Sequence, residues 1–432
     1  MNIIKSYSFL KKVLIISYFF PPCNLTAAQR ILGWANYLSK YGYYPTIVTR
    51  NWDRTISKPE DVLRSVGNSI RHEKNENYEV YYLPYKANFR DQMFTKLSGS
   101  KFQRLTKPLT VLNLIRENFS LKSIPHSNLH TFSKKWLEEN SEVKKVIISG
   151  NPFNQFFFGY HLQKTLDISW IADYRDDWNT TELTPRKKNG VSGYIQRLQE
   201  KSEKKWVGSA KLITSISPYY AKKIGDFVNK PFAVLLNGYE NNQNLASSKV
   251  VSDTFTITYN GSLYDTQPIE AFMTAISTLI LEKKYLIQLN FPGLSFDPKQ
   301  AKRISSLARN IKKQVNITNR IPREEVLKLQ EKSDLLLMIS HTNLRGIPSS
   351  KLYEYVGMGK PILLYPDDKD IVSETLTDTG LGIICSSVKE IIESIEKLIL
   401  QKESQLKPNK ERIQFYSRKE QTKVLAQLLD QL

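Results

Sequence analysis

In the stretch WIADYRDDWNT, Trp170 to Thr180, an apolar run opens into Asp173, Arg175, Asp176 and Asp177, four charges in five residues. A buried strand does not carry unpaired charges, because desolvating them is costly. Either a strand ends here with its tip in a polar cleft, or the run is an ordinary solvated turn. On the first reading Asp173 and Asp176 accept hydrogen bonds from hydroxyls or act as a base, with Arg175 as ion-pair partner or phosphate contact. A metal-binding aspartate pair is the competing chemistry, but the spacing suits it poorly and no third ligand is evident.

A second constellation lies in IPSSKLYEYVGMGKPILLYP, 347–366. Pro348, Ser349 and Ser350 form a helix-start signal. Ser349, Ser350 and Lys351 would then offer N–H groups and a cation to a diphosphate. Glu354, one turn further, can hold a ribose diol through paired hydrogen bonds, or simply pair with Lys351 across i,i+3 on a surface helix. In SYFFPPCNLTAAQR, Asn24 and Thr26 open a helix whose free N–H groups suit phosphate or a sugar hydroxyl. Arg30 follows one turn in, facing an anion or solvent. SGNPFNQ breaks in the same way at Gly150-Asn151-Pro152.

These residues need elements to hold them. KKVLIISYFF, TAAQRILGWANYLSKYG and YPTIVTR read as strand, helix, strand. Further strands are expected over 78–84, 144–150, 168–174, 211–217 and 232–238. Their apolar runs are continuous, as in a parallel sheet covered on both faces. Residues 1–240 therefore form one doubly wound domain, and 240–253 reads as a linker. The pattern restarts with strands at 254–261, 285–293, 313–320, 333–340, 360–366 and 381–386, giving a second doubly wound domain over 254–410. The expected fold is α/β, two Rossmann-like parallel-sheet domains whose strand ends face a cleft. Between Tyr85 and Ser133 lies a basic segment with helical patterns, read either as an insertion on its own domain or as an interfacial helix on anionic lipid.

Composition narrows the partners. A chain of 432 residues with 41% hydrophobic content suits two folded domains. The balance of 62 basic against 42 acidic residues, +20, calls for an anionic partner: nucleic acid, lipid or a phosphorylated small molecule. Only Cys23 and Cys385 occur, which argues against a disulfide framework or a zinc site and suits a reducing compartment. Lys11 and Lys12 before VLIISYFF imitate a signal peptide, but eight apolar residues ended by Pro21 and Pro22 read better as a buried strand. A cytoplasmic location follows as an expectation, with peripheral attachment to the inner face of the membrane.

ISYFFPP with Arg30, SGNPFNQ, WIADYRDDW, SISPYY, LLNGYE, ITYNGSLY and KLYEYVGMGKPIL, in this order, resemble a GT-B-fold glycosyltransferase of family 4. The closing FYSRKEQTKVLAQLL fits as well. The resemblance implies transfer of a sugar, with retention, from a nucleotide-sugar donor to an acceptor hydroxyl, without a metal or other cofactor. UDP is the family default and GDP the alternative base. The N-terminal domain would hold a lipid-linked or glycan acceptor, the second domain the nucleotide, and helix 413–432 would return to the first domain. Glu354 would bind the ribose, Ser349 to Leu352 would cradle the diphosphate, and Asn260, Gly261 and Ser262 would face the donor. DYRDDW would border the reacting centre.

Two departures stand out. The family's second glutamate, eight positions before Glu354, is Gly346 here. The Arg and Lys that many relatives carry after the first strand of the second domain are replaced by GSLYDTQ, leaving Lys351, Arg345 or Arg30 to meet the diphosphate charge. A pathway of bacterial surface polysaccharide or glycolipid synthesis suits these expectations. A nucleotide-sugar 2-epimerase of the same architecture is the alternative enzyme. A basic nucleic-acid-binding protein is the alternative class, although no recognition helix, aromatic-sheet motif or basic repeat is present.

Overall fold

A computed structural model describes residues 10–53, 56, 59–182, 189–240, 253–401 and 406–432. Except at its two end residues, the linker expected over 240–253 lies outside the described residues. The chain divides into two compact units, Met1–Leu236 with Gln421–Leu432, and Asn237–Glu420.

Among its described residues the first unit holds eight strands: β1 Lys11–Ser17, β2 Tyr43–Arg50, β3 Arg71–Lys74, β4 Glu79–Leu83, β5 Lys145–Gly150, β6 Ser169–Tyr174, β7 Leu212–Ser215 and β8 Phe232–Val234. They lie in the order β3-β4-β2-β1-β5-β6-β7-β8. All pairs are parallel except β3 with β4, an exposed antiparallel edge that the polar run RHEK did not announce. β1 is thus a central strand, with Val13 to Ile16 wholly buried. Continuous apolar runs mark such strands because helices cover both faces.

Register decides what happens at the polar tips. Ser17 pairs with Ser149, Ser149 with Asp173, and Asp173 with Thr214, so four polar residues form a row across β1, β5, β6 and β7. The helix Arg418–Asp430 sends Leu425, Ala426 and Leu429 into the same core as Val13, Trp34 and Ile171. Tyr43 donates a 2.8 Å hydrogen bond to Asp430 at its end.

Among its described residues the second unit has six strands, all parallel: β9 Phe255–Thr258, β10 Ile287–Phe291, β11 Val315–Ile317, β12 Leu335–Ile339, β13 Ile362–Tyr365 and β14 Gly382–Ile384. Their order is β11-β10-β9-β12-β13-β14. Chain direction across the sheet reverses between β9 and β12, and ligands of open α/β sheets bind outside the strand ends at such a switch point. The segments leaving β9 and β12 are those carrying Asn260–Ser262 and the 347–366 motif.

Candidate functional site

Helix Ser350–Met358 is fixed by its buried face, where Leu352, Tyr353, Tyr355 and Val356 are all fully buried. Gly357 lets it lie against Tyr239: a Cβ there would sit 2.4 Å from the tyrosine ring. Ser349 caps the helix start, its Oγ accepting from the Lys351 N–H at 3.4 Å. The Leu352 N–H is taken by the Ser349 carbonyl, so Leu352 serves the cradle as an anchor in the core rather than as a free donor.

The loop after β9 folds onto this helix. The Asn260 N–H donates to Tyr355 Oη at 2.8 Å, and Lys351 Nζ donates to the Ser262 carbonyl at 3.2 Å while sitting 3.9 Å over the Tyr259 ring. Glu354 accepts from Asn260 Nδ2 at 3.3 Å and from Gln330 Nε2 at 2.8 Å on one oxygen, and pairs with Arg323 at 2.8 Å on the other. Lys351 and Glu354, three residues apart, therefore hold separate partners rather than each other. Asn260, Gly261, Ser262, Ser349, Lys351 and Glu354 are brought together as one site.

Its electrostatics are set by burial. Lys351 is half-buried, and desolvation pushes its ammonium down to about 7, with the Glu354 charge opposing that shift. His341, half-buried just past β12, is lowered by its own burial and by the Lys351 charge; its Nδ1 lies 2.7 Å from Thr266 Oγ1. His341, Gly346, Ser349, Gln267 and Asp368 line one small cleft. The sequence reading passed over Arg323 and Gln330, although a spacing of seven places them on one face of helix Arg323–Lys332. It also missed Tyr259 and His341, which follow strands as the chosen residues do.

Arg345 is exposed, and its Nε lies 3.8 Å from Asp370. Asp370 also accepts the Gly346 N–H at 2.5 Å. Gly346 has φ +68, a conformation glycine adopts without penalty and a glutamate side chain does not favour.

In the first unit the row of polar tips closes around Asp173. Arg30 Nη2 and Thr214 Oγ1 donate to Oδ1, each at 2.8 Å; Arg30 Nε at 3.2 Å and Ser149 Oγ at 2.8 Å donate to Oδ2. Asp173 has no exposed surface, and Arg30, also buried, donates further to the carbonyls of Leu235 and Leu236. This corrects two expectations. Arg30 is not a cation turned toward an incoming anion, and Asp173 does not pair with Arg175. The register of β5, β6 and β7 brings Ser149 and Thr214 beside Asp173, and the helix Ala27–Tyr37 delivers Arg30.

Arg175 pairs instead with Asp176, Nε to Oδ2 at 3.0 Å, and both stay accessible. Asp177 faces Lys223 at 3.4 Å, and burial raises its carboxyl above the ordinary range. Asn24 is exposed and donates to the Ile56 carbonyl at 3.3 Å; Asn151 is exposed at the end of β5. Among the described residues no group of three His, Cys, Asp or Glu is placed to hold a metal ion. No described helix is long and apolar enough to cross a membrane.

Residues 241–415 match the family model of glycosyl transferases group 1. The second unit carries a glycosyltransferase domain. The chain is accordingly a sugar-transferring enzyme, and the Lys351–Glu354 helix falls inside the matched segment. The fold agrees. Sucrose-phosphate synthase from Thermosynechococcus elongatus superposes with a TM-score of 0.64 at 13% identity, covering 98% of each chain. HepE of Anabaena in complex with UDP and glucose gives 0.55 at 10% identity, covering 97% of this chain and 95% of its own. The UDP-GlcNAc 2-epimerase of Methanocaldococcus jannaschii gives 0.50 at 12% identity, covering 98% and 100%. At these identities the likeness is one of fold, two parallel-sheet α/β domains of GT-B type. No curated protein sequence matches this chain.

Proposed function

We propose that this glycosyltransferase binds a nucleotide-sugar donor on the second unit and transfers its sugar, with retention, to an acceptor hydroxyl. The observation that carries the reading is the short helix on which Lys351 and Glu354 hold separate partners beside the Asn260–Ser262 loop, at the switch point of a glycosyltransferase domain. A diphosphate placed at the helix start meets a positive dipole end and one cation. As the glycosidic bond breaks, negative charge gathers on the leaving diphosphate, and groups already directed at it lower the barrier. Lys351 supplies that charge with no resident metal needed in the proposal. Glu354 accepts the ribose hydroxyls, taking them in place of Arg323 and the two amide donors it holds now.

The first unit, in this proposal, receives a lipid-linked or glycan acceptor, with Arg175 and Asp176 as the accessible polar groups at the end of β6. Asp173 and Arg30 act one layer below, as positioning residues for that strand end. UDP is the base favoured, since HepE was solved with UDP and glucose; GDP is the alternative. Bacterial surface polysaccharide or glycolipid synthesis is the setting proposed.

The test is a thermal-shift panel of nucleoside diphosphates and their sugars, followed by product analysis. Specific donors raise the unfolding midpoint by mass action. No stabilisation by any nucleotide-sugar would overturn the donor assignment. The fold likeness to a 2-epimerase keeps a second reading in view. Incubating donor without acceptor separates the two: an epimerase inverts the free sugar nucleotide, whereas a transferase releases new product only when acceptor is added.

A further inference from the structure

The helix Lys107–Glu117, KPLTVLNLIRE, contains five large aliphatic residues, yet none of its residues is buried. A helix with an apolar face normally covers it against a core, because that burial is what stabilises it. Here Leu109, Val111, Leu114 and Ile115 are only half-buried, and Leu112 is open. The turn before the helix, Lys101–Thr106, exposes Phe102 by 65% and Leu105 by 67%. Leu112 within the helix and Phe119 in the turn after it are 50% and 68% exposed. In the first unit helix Phe89–Leu97 begins with an equally open phenylalanine, Phe89.

Charge accompanies these side chains. Lys96, Lys101, Arg104, Lys107, Arg116 and Lys122 are all exposed and form no ion pair among the described residues. The acids of the same stretch, Asp91 and Glu117, do not neutralise them. Asp91 is buried against Arg90 and the Tyr85 hydroxyl, and burial pushes the Glu117 carboxyl up to about 7.

Exposed apolar side chains interspersed with unpaired cations over Phe89–Lys122 fit one class of surface. We infer that Phe89–Lys122 docks on an anionic lipid bilayer, the phenylalanines and leucines entering the interface and the cations meeting phosphate headgroups. A second copy of the chain is disfavoured, because a two-fold contact through this segment would bring like charges together. A nucleic-acid backbone would meet the cations but gives the apolar side chains nothing to bury against. The inference concerns the first unit alone and stands whether or not the second unit transfers sugar.

The experiment is flotation of the full chain with phosphatidylcholine vesicles, with and without a third of phosphatidylglycerol. The protein should float with the anionic vesicles only, and less so in 1 M salt, where the screening length falls to about 3 Å. The triple variant Lys101→Gln, Arg104→Gln, Lys107→Gln should partition about a hundredfold more weakly, at about fivefold per cation. The variant Phe102→Ser, Leu105→Ser, Leu112→Ser, Phe119→Ser should lose the part of the binding that survives salt. Nucleotide-sugar binding, measured in parallel, should be the same in all three proteins.

Equal flotation on both vesicle types, none at low salt, or variants that bind as the parent does would each overturn the inference. A concentration-dependent dimer in sedimentation, abolished by the serine variant, would give the segment to a second copy instead. Should a variant fail to fold, amide exchange of the parent decides. Residues 101–119 must slow on adding anionic vesicles, and unchanged exchange there sinks the proposal.

Discussion

Lys351 gives the most direct test of the donor site. Burial over the Tyr259 ring holds its ammonium near 7, so about half of the molecules carry the charge at neutral pH. A diphosphate brought to Nζ favours the charged form, raises that pKa and takes up a proton on binding. Affinity is then full below pH 7, where Lys351 is already charged. Above 7 it falls by about tenfold per pH unit, until the pKa of the bound state is reached. An intact nucleotide-sugar is the right ligand, because its diphosphate charge is constant over this range. Calorimetric titration between about pH 6 and about pH 9, in buffers of different ionisation enthalpy, reads both the Kd and the proton uptake. Lys351→Met should bind about 10- to 100-fold more weakly at the acid end, the loss of a charge-assisted hydrogen bond worth about 1.5–3 kcal/mol. Its Kd should also stop depending on pH. A parent enzyme with a flat profile, or a methionine variant that keeps the slope, would refute the reasoning.

The same residue links stability to pH with the opposite sense. An unfolded lysine stays charged to about 10.4, so between 7 and 10.4 the unfolded state binds more protons and the parent gains stability as pH rises. Ligand-free Lys351→Met should therefore unfold at a higher temperature than the parent at pH 7, with the gap closing in alkali; calorimetry checks this. Glu354→Ala should erase discrimination between a ribose and a 2′-deoxyribose nucleotide, which competition binding measures, while Arg323 loses its ion-pair partner in the site. Asp173→Ala leaves Arg30 buried without its counter-charge and should cost about 3–5 kcal/mol in urea unfolding. The pair Arg30→Met with Asp173→Leu should recover most of that, and a single variant as stable as the parent would show that the ion pair is not what holds the strand ends.

How far the sequence reaches differs from residue to residue. The strands were legible because parallel strands buried on both faces must be continuously apolar, and LLLMI and VLII are. The helix that carries Lys351 and Glu354 was legible because its start signal is a local pattern, complete within six residues from Ser349 to Glu354. The edge strand β3 was not, since a solvated antiparallel edge needs no apolar residue. Arg323, Gln330 and Tyr259 were not, because their link to Glu354 and Lys351 runs through packing between distant segments.

Asp173 marks the division most sharply. The sequence left WIADYRDDW as either a charged strand end or a solvated turn, and the structure ends β6 there. Which of the nearby cations would neutralise Asp173 depended on strand register and on where the helix carrying Arg30 came to lie, 143 residues away in the chain. Local sequence fixes the periodicity of side chains, because backbone geometry repeats over a few residues. Partners across a sheet are chosen by the one alignment that buries every strand at once, and only the folded chain contains that alignment.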